Sequence, residues 1–144
     1  MTFESSKNHC CISCGQELNL AQLVISRGNP CSKLMIIGEA PGAKEDELGE
    51  PFVGRSGKLL DKLLRSVGIE PETDSYICNV VKCRPPKNRR PTKKEISDHL
   101  PWLKQQVLLI DPRVIILVGA TALEAVLSMK CQISKVRGTW QNWE

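Results

Sequence analysis

The chain has 144 residues, of which 41% are hydrophobic and 25% charged, and these are ordinary proportions for one soluble globular domain. Its net charge of +4 is too small to indicate nucleic-acid binding by itself. No apolar run approaches the roughly 18 residues of a membrane span, and residues 1–9 contain no apolar signal core. These features argue against a membrane protein, and we expect a cytoplasmic monomer that makes no contact with a membrane.

Three apolar segments rich in β-branched residues are predicted to be buried strands, at 34–38, 76–81 and 114–119. After the first strand, Ser56 is predicted to cap a helix that ends near Gly68, since glycine suits the left-handed position at a helix end. The pattern predicts a βαβ unit. The apolar residues of this helix are predicted to share one face, and they are Leu59, Leu60, Leu63, Leu64 and Val67.

The residues after the second strand predict two helices separated by a break. Thr92 and Glu95 have the spacing of a capping box, which starts a helix. Pro101 disrupts a helix interior and is predicted to open a second helix, which leaves His99 at the break. A last helix is predicted at 121–129.

Strands that alternate with helices predict an α/β fold, a three-layer α/β/α sandwich with a central parallel sheet, in which residues 1–144 form a single domain. Residues 114–118 are apolar on both faces, as in an interior strand with a neighbour on each side. The sequence after them offers only 135–143, which resembles the first half of a hairpin. We therefore expect a domain that is incomplete at its C-terminus, with the last strand and helix missing.

A glycine-rich loop, 38–42, follows the first predicted strand and leads through an acidic stretch to the segment 51–54. Loops at the carboxyl ends of strands hold the ligands of open α/β folds, although a short loop of this kind is also common as a plain βα turn. Phe52 is one of only two phenylalanines and lies in a polar loop. It is interpreted as a stacking surface for a base, against the alternative of a residue folded back into a minor core.

Seven cysteines in a chain that we expect in a reducing compartment indicate metal ligation or burial rather than disulfides. Cys11 and Cys14 form a CxxC pair, and Cys83 and His99 complete a plausible set of four ligands. Three thiolates and one imidazole suit zinc as well as an iron-sulfur cluster. The alternative is a chance CxxC pair, a buried Cys83 and a His99 that merely lies at a helix end.

Residues 82–94 carry a dense run of positive charge with interleaved prolines and no acidic residue. Like charges at this density repel each other unless a polyanion neutralises them, although such a run is more often simply solvated. Because the run leaves the sheet at the same strand ends as the 38–42 loop, we expect it to contact a DNA or RNA backbone. The candidate backbone contacts are Arg84, Lys87, Arg89 and Arg90.

Several stretches, in order along nearly the whole chain, resemble a known family, the iron-sulfur uracil-DNA glycosylases called family 4. The matching residues are Cys11 and Cys14, 28–30, 34–42, 51–54, 79–86 and 133–140. The resemblance implies base excision repair of uracil-containing DNA, single- or double-stranded, by hydrolysis of the N-glycosidic bond of a flipped-out uracil. It also implies a 4Fe-4S cluster in preference to zinc.

The same resemblance implies which residues form the site. Asn79 and Glu39 would be catalytic. The Asn79 carboxamide matches the O4 acceptor and N3–H donor of uracil, and the Glu39 carboxylate would orient water or favour a cationic sugar. Glu45 would help to exclude the thymine methyl group, and the backbone of the glycine-rich loop would stabilise the developing uracilate. The implied uracil-binding residues are Gly38, Glu39, Ala40, Gly42, Glu45, Phe52 and Asn79.

The chain departs from the family pattern at two points. The fourth cluster ligand is normally cysteine and here is His99, so that a Cys3His cluster and a labile or three-ligand cluster are both open. The family also ends with a strand carrying a His-Pro motif, a loop that enters DNA and a final helix, none of which precedes Glu144.

The competing hypothesis is a metal-stabilised DNA-binding fragment without catalysis. A nucleotide-binding domain is a weaker alternative, because Pro41 and the acidic run 45–50 suit phosphate poorly.

Overall fold

The computed structural model describes residues 23–130 and 132–143, so that the predicted ligands Cys11 and Cys14 lie outside the described residues. Among these residues, no helix is long and apolar enough to cross a membrane. The described strands are β1 (Arg27–Gly28), β2 (Leu34–Gly38), β3 (Tyr76–Asn79) and β4 (Val114–Leu117). The described helices are α1 (Ala43–Leu48), α2 (Arg55–Ser66), α3 (Pro71–Asp74), α4 (Lys93–Ile110), α5 (Ala120–Leu127) and α6 (Ile133–Val136), with a 3₁₀ turn at Pro86–Asn88.

The four described strands form one sheet in the order β1-β3-β2-β4. β2 pairs in parallel with β3 and with β4, which confirms the predicted α/β fold with parallel central strands. β1 pairs antiparallel with β3, so the sheet is mixed rather than wholly parallel. The sequence pattern did not predict β1 because a strand of two residues is too short to show an alternation of apolar and polar side chains.

Helices cover both faces of the sheet, as the predicted three-layer sandwich requires. Successive side chains of a strand point to opposite faces, so β2 and β3 each contribute to two separate cores. The core between the sheet and helices α4 and α5 contains Met35, Ile37, Cys78, Leu103, Val107 and Ala122. The smaller core between the sheet and α2 contains Ile36, Leu64 and Ile77.

Helix α2 begins earlier and buries fewer side chains than predicted. Its N-cap is Gly54 rather than Ser56, which lies inside the first turn. Leu64 is buried, whereas Leu59, Leu63 and Val67 are exposed by 58%, 57% and 71%. The predicted apolar face was therefore too wide, because only one edge of it reaches the sheet.

Helix α4 is continuous through Pro101, so the predicted break there is wrong. The capping box at its start is confirmed: Thr92 Oγ1 accepts the Glu95 N–H at 3.1 Å, and Glu95 Oε2 accepts the Thr92 N–H at 2.8 Å. Proline has no N–H to donate to the carbonyl of Ser97, four residues earlier, and its ring crowds that carbonyl. Both Pro101 and Ser97 are exposed, so this side of the helix faces water. His99 consequently lies within a helix and is 1% exposed.

The C-terminal part of the described chain differs from the predicted hairpin strand. Ile133–Val136 forms the short helix α6, and residues 137–143 contain no strand. Within the described residues β4 pairs with β2 alone, so it does not have the two neighbours expected of an interior strand. An open cavity of about 780 Å³ lies between β4, α5 and this segment.

Candidate active site

The ends of β2 and β3 bring two of the predicted site residues side by side. Gly38 and Asn79 are the last residues of their strands and are partners in the parallel register. The pairing continues into the loops, because the Val80 N–H donates to the Gly38 carbonyl at 2.9 Å and the Val81 N–H donates to the Glu39 carbonyl at 3.0 Å. Asn79 is 2% exposed. The carboxamide is therefore carried by a rigid part of the fold.

Gly38 is the point on which Phe52 and Asn79 converge. A Cβ atom added to Gly38 would lie 2.3 Å from Phe52 Cζ and 2.6 Å from Asn79 Oδ1. No real Cβ atom tolerates such distances, so glycine is what allows the ring and the carboxamide to approach the backbone of β2. The structure thus places an aromatic ring and a carboxamide, predicted from separate segments of the sequence, around one glycine.

The Phe52 ring is partly buried against the core that joins α2 to the sheet. Its backbone has a φ of +55°, in the left-handed region that a non-glycine residue seldom occupies. A Cβ atom added to Gly57 in α2 would lie 1.8 Å from the Phe52 carbonyl oxygen, so α2 packs directly on this main chain. The ring therefore contacts the minor core and also lies beside Gly38, while its stacking on a base stays a prediction.

Glu45 fixes the relation between the glycine-rich loop and the Phe52 loop. Its Oε2 accepts the Gly42 N–H at 3.1 Å, and its Oε1 accepts the N–H groups of Val53 at 3.1 Å and Gly54 at 2.9 Å. These groups belong to the N-terminal ends of α1 and α2, where a carboxylate is favourable. Exclusion of the thymine methyl group by Glu45 stays a prediction.

Glu39 is held by a residue that the sequence analysis did not single out. Thr121 Oγ1 donates to Glu39 Oε2 at 2.5 Å, and Thr121 is 1% exposed at the start of α5. Arg90 Nε donates to Thr121 Oγ1 at 3.2 Å, and Arg90 lies 3.5 Å from Glu124. The Glu39 carboxylate is therefore oriented from α5. Ala40, next to it, packs against the main core.

Lys82 lies behind Asn79, with its side chain fully enclosed. Its ammonium group donates to the Asn79 main-chain carbonyl and to Gln106 Oε1. Gln106 Nε2 in turn donates to the Ile25 carbonyl at 3.1 Å and to the Tyr76 hydroxyl at 3.0 Å. Burial raises the pKa of the Tyr76 hydroxyl, so it remains a neutral partner. This network ties the end of β3 to α4 and to the chain before β1.

The basic segment is neutralised within the protein more than the sequence suggested. Arg89 forms a two-pronged ion pair with Glu95 at 2.7 and 2.8 Å, and this hydrogen bonding lowers the pKa of the Glu95 carboxyl. Lys94 Nζ lies 2.7 Å from Asp98. Carboxylates of α4 and α5 therefore neutralise part of the run, and contact with a DNA or RNA backbone stays a prediction. Arg84 is half-buried and donates to Asn88 Oδ1 at 2.7 Å.

Two of the four predicted metal ligands can be described, and they differ in how well they suit a cluster. Cys83 is fully buried just beyond β3, which suits a thiolate ligand. His99 Nδ1 accepts the Lys82 N–H at 2.7 Å, so a neutral ring carries its proton on Nε2. The Nδ1 lone pair is then taken by the Lys82 amide and Nε2 carries the proton, so neither nitrogen can bind iron and His99 does not fit a ligand in this geometry. Within 23–130 and 132–143 no group of three metal-binding side chains occurs.

Arg27 and Thr121 are the residues near the site that sequence reasoning missed. Arg27 lies in the unpredicted strand β1 and is 8% exposed. Its position directly before the family-like stretch 28–30 was the one available signal. Thr121 gave none beyond standing at the start of a predicted helix. In both cases the contacts depend on the arrangement of elements that are distant in sequence.

Comparisons with known proteins agree with this geometry. The sequence profile of the Uracil DNA glycosylase superfamily matches residues 25–143. The chain is 45% identical to the type-4 uracil-DNA glycosylase of Thermotoga maritima over 99% of its own length and 74% of that protein. Its identity to the type-4 uracil-DNA glycosylase of Pyrobaculum aerophilum is 48% over 67% of this chain and 48% of the relative. For the Archaeoglobus fulgidus protein of the same name it is 40%, over 89% and 66%.

These matches span about half to three quarters of the length of the relatives. Both the profile match and the Thermotoga maritima relative cover enough of the chain to decide the family. The predicted resemblance is thereby confirmed: the chain belongs to the uracil-DNA glycosylase superfamily and is a homologue of its type-4 members.

Proposed function

We propose that this protein is a uracil-DNA glycosylase that hydrolyses the N-glycosidic bond of a flipped-out uracil in single- or double-stranded DNA, acting as a cytoplasmic monomer. The observation that carries the proposal is the convergence of Phe52 and Asn79 on Gly38 at the carboxyl ends of two parallel strands. This is where open α/β sheets bind ligands. The names of the type-4 relatives support the same reaction.

Asn79 would select uracil by its hydrogen-bonding pattern. Uracil presents the O4 acceptor beside the N3–H donor, and a carboxamide supplies the complementary donor and acceptor. Cytosine reverses this pattern, so an amide held in one orientation would reject it. The Asn79 carboxamide lies beside Gly38 at the strand ends where a base would bind. Phe52, beside it, would stack on the flipped ring.

Hydrolysis breaks the bond between the sugar C1′ and uracil N1, and the electron pair leaves with the base. Water supplies the hydroxyl group that C1′ gains, and its remaining proton neutralises the departing uracilate or enters solvent. Backbone N–H groups at the end of β2 would stabilise the developing negative charge. The Gly42 N–H already donates to Glu45, so Gly42 would shape the loop rather than donate to uracil.

Glu39 would act on the positive side of the same transition state. Thr121 holds one carboxylate oxygen, which fixes the direction of the negative charge without neutralising it. The second oxygen would then orient the attacking water or stabilise the cationic sugar. Both roles require an ionised carboxylate in a fixed position.

DNA would be held by the basic segment through its exposed members. Lys87, Arg90 and Lys93 are exposed, and Arg84 is half-buried. Arg89 would contribute less to the phosphate contacts, because Glu95 already engages its guanidinium group. Such binding weakens as salt concentration rises.

A 4Fe-4S cluster would be held by the thiolates of Cys11, Cys14 and Cys83. When bound it would serve as a structural cross-link between the N-terminal segment and the residues after β3. His99 would support the cluster indirectly by holding the Lys82 amide, since its ring does not fit a ligand in this geometry. Of the alternatives raised by the sequence, this favours three thiolate ligands.

The ligand set is tested by measuring iron content and absorption at about 400 nm, where thiolate-bound iron clusters absorb. His99→Asn keeps an acceptor near the position of Nδ1 for the Lys82 amide, and it should retain iron. Cys83→Ser should lose iron, whereas Cys31→Ser, at an exposed cysteine, should not. Loss of iron in His99→Asn would restore His99 as a ligand, and zinc in place of iron would overturn the cluster.

The glycosylase function is tested by incubating the full chain with a single-stranded oligonucleotide that contains one deoxyuridine. Free uracil and abasic sites should form, while matched oligonucleotides with thymidine or deoxycytidine stay intact. Asn79→Ala should slow release at least about 10²-fold, whereas Asn142→Ala, at an exposed asparagine, should not. Salt-dependent DNA binding without abasic sites would instead support a non-catalytic DNA-binding protein.

A further inference from the structure

We infer that Arg27 is a positioning residue for uracil binding, acting through Phe52, an inference that rests on the proposed function. Arg27 does not have to touch the base. It holds the main chain that carries the Phe52 ring, and so it sets where that ring lies relative to Gly38. Neither the motifs in the sequence nor the roles implied by the family resemblance include this arginine.

The guanidinium group of Arg27 donates to two successive carbonyls of the Phe52 loop. Nε donates to the Pro51 carbonyl at 2.8 Å, and Nη2 donates to the Phe52 carbonyl at 3.1 Å. Glu45 holds the same loop through the N–H groups of Val53 and Gly54. The peptide groups around Phe52 are thus fixed from the carbonyl side by Arg27 and from the N–H side by Glu45.

These hydrogen bonds stabilise an unfavourable backbone conformation at Phe52. The left-handed φ of +55° at Phe52 is unfavourable for a residue with a side chain. Gly57 lets α2 approach the Phe52 carbonyl closely, but a glycine has no side chain with which to hold that carbonyl. The hydrogen bonds from Arg27 to the Pro51 and Phe52 carbonyls hold this backbone and with it the ring.

Two carboxylates hold the arginine itself. Arg27 Nη2 lies 2.6 Å from Asp61 in α2, and Nη1 lies 2.6 Å from Glu72 in α3. The side chain of Arg27 is 5% exposed, so its charge would be costly without these partners. Lysine cannot replace it, because one ammonium group cannot reach two carbonyls and two carboxylates as a planar fork does. The geometry therefore joins β1, α2 and α3 at the Phe52 main chain.

A purely structural arginine would stabilise the fold without affecting uracil affinity in the folded protein. The two roles separate in a double-mutant cycle read out as the inhibition constant of free uracil, with thermal unfolding measured in parallel. Arg27→Lys should weaken uracil inhibition about tenfold in the full chain. In the Phe52→Ala background the same change should have less than about a twofold effect, because the ring through which Arg27 acts is gone.

Two controls keep the outcome clear. Arg65→Lys alters an exposed ion pair with Glu70 next to α2 and should leave uracil inhibition unchanged. Asp61→Asn with Glu72→Gln removes the ion pairs but keeps the donors to both carbonyls, so it should lower stability with little change in uracil inhibition. If Arg27→Lys does not fold, Arg27→Gln is introduced into that neutralised double variant, where no carboxylate is left unpaired, and is compared with it.

An equal weakening with and without the Phe52 ring would overturn the inference, and so would normal uracil inhibition in Arg27→Lys. If the wild-type chain neither binds uracil nor releases it, the proposed function fails first and the inference with it. Release by the wild type together with an indifferent Arg27 would leave the function standing and reject the positioning role alone.

Discussion

The candidate pocket at Gly38 has two walls, the loop that carries the Phe52 ring and the strand end that carries the Asn79 carboxamide. Each wall is backed by a buried cation, but the two cations are held differently. On the Phe52 side, Arg27 is bound to carboxylates on α2 and α3, and it donates to carbonyls of the loop. These partners lie 24 to 45 residues away in sequence. This wall is therefore an assembly of separate elements around one charge.

On the Asn79 side, the cation is close in sequence to the residue that it holds. Lys82 donates to the carbonyl of Asn79, three residues earlier, and to the neutral side-chain oxygen of Gln106. This wall is a local turn that is tied to the long helix α4. The Asn79 carboxamide is thus fixed by its own strand end, whereas the Phe52 ring depends on a guanidinium group that comes from a distant strand.

The largest effect is expected where both walls meet. Gly38→Ala would place a Cβ atom 2.3 Å from the Phe52 ring and 2.6 Å from Asn79 Oδ1, so one or both must move. Uracil release should fall by at least about 10²-fold, since small misplacements of reacting groups have effects of this size. Gly68→Ala is the control: its φ of +79° makes alanine unfavourable, but no atom lies within 4 Å. It should cost about 1 kcal/mol of stability with normal release, and normal release in Gly38→Ala would contradict the convergence.

Lys82→Met sharpens the comparison by disabling the Asn79 wall alone. It leaves the Asn79 carbonyl and the Gln106 oxygen without their donor, and the loss should be about 2 kcal/mol in the free energy of unfolding. Uracil release should also slow, and inhibition by free uracil should weaken even in Phe52→Ala, unlike the expected result for Arg27→Lys. Lys104→Met, at an exposed position of α4, should change neither quantity in urea unfolding or release assays. If Lys82→Met instead left uracil inhibition unchanged in the Phe52→Ala background, as expected for Arg27→Lys, the two walls would not be independent.

The smallest effect on uracil release is expected for Glu95→Gln, because Glu95 contacts neither wall. This variant should change stability alone. The Arg89 hydrogen bonds lower the pKa of the Glu95 carboxyl below its ordinary value of 4.5, so the folded protein takes up that proton less readily than the unfolded chain. The stabilisation is complete above the ordinary value and is lost as pH falls through the lowered one. Glu95→Gln should therefore destabilise the protein at neutral pH by about 1 kcal/mol or more, and the difference should shrink in acid.

Urea unfolding at several pH values measures this difference, with Glu47→Gln at an exposed ion pair as the control. Uracil release at neutral pH should be normal in both variants, since the basic segment and not the pocket loses a contact. A difference that stays constant from neutral pH into acid would refute the assignment of the stabilisation to the Arg89 ion pair.

The sequence predicted the part of the site that depends on strand ends. The apolar runs of β2 and β3 are recognisable from their β-branched residues, so the loop that begins at Gly38 could be placed at the carboxyl end of a strand. Phe52 was found because an aromatic ring in a polar loop is unusual. These two inferences need only local pattern and the rule that ligands bind at strand ends. Asn79 was assigned by the family resemblance and was predicted inside a strand over 76–81, which in the structure ends at Asn79.

What could not be predicted depends on packing between distant elements. Arg27 lies in a strand of two residues, and its carboxylate partners are on separate helices. The position of His99 was wrong because Pro101 is tolerated on the exposed side of α4, a condition that sequence does not display. Similarly, the ion pair between Arg89 and Glu95 requires the orientation of the first turn of α4.

A crystal structure of the full chain with bound uracil would show directly whether Phe52 and Asn79 form the binding site. We expect the uracil ring against the Phe52 ring at a separation of roughly 3.5 Å, with its O4 and N3 within about 3 Å of the Asn79 carboxamide. The base should lie beside Gly38 at the ends of β2 and β3. Uracil bound elsewhere, or bound at this place without contact to Asn79, would refute the proposed site.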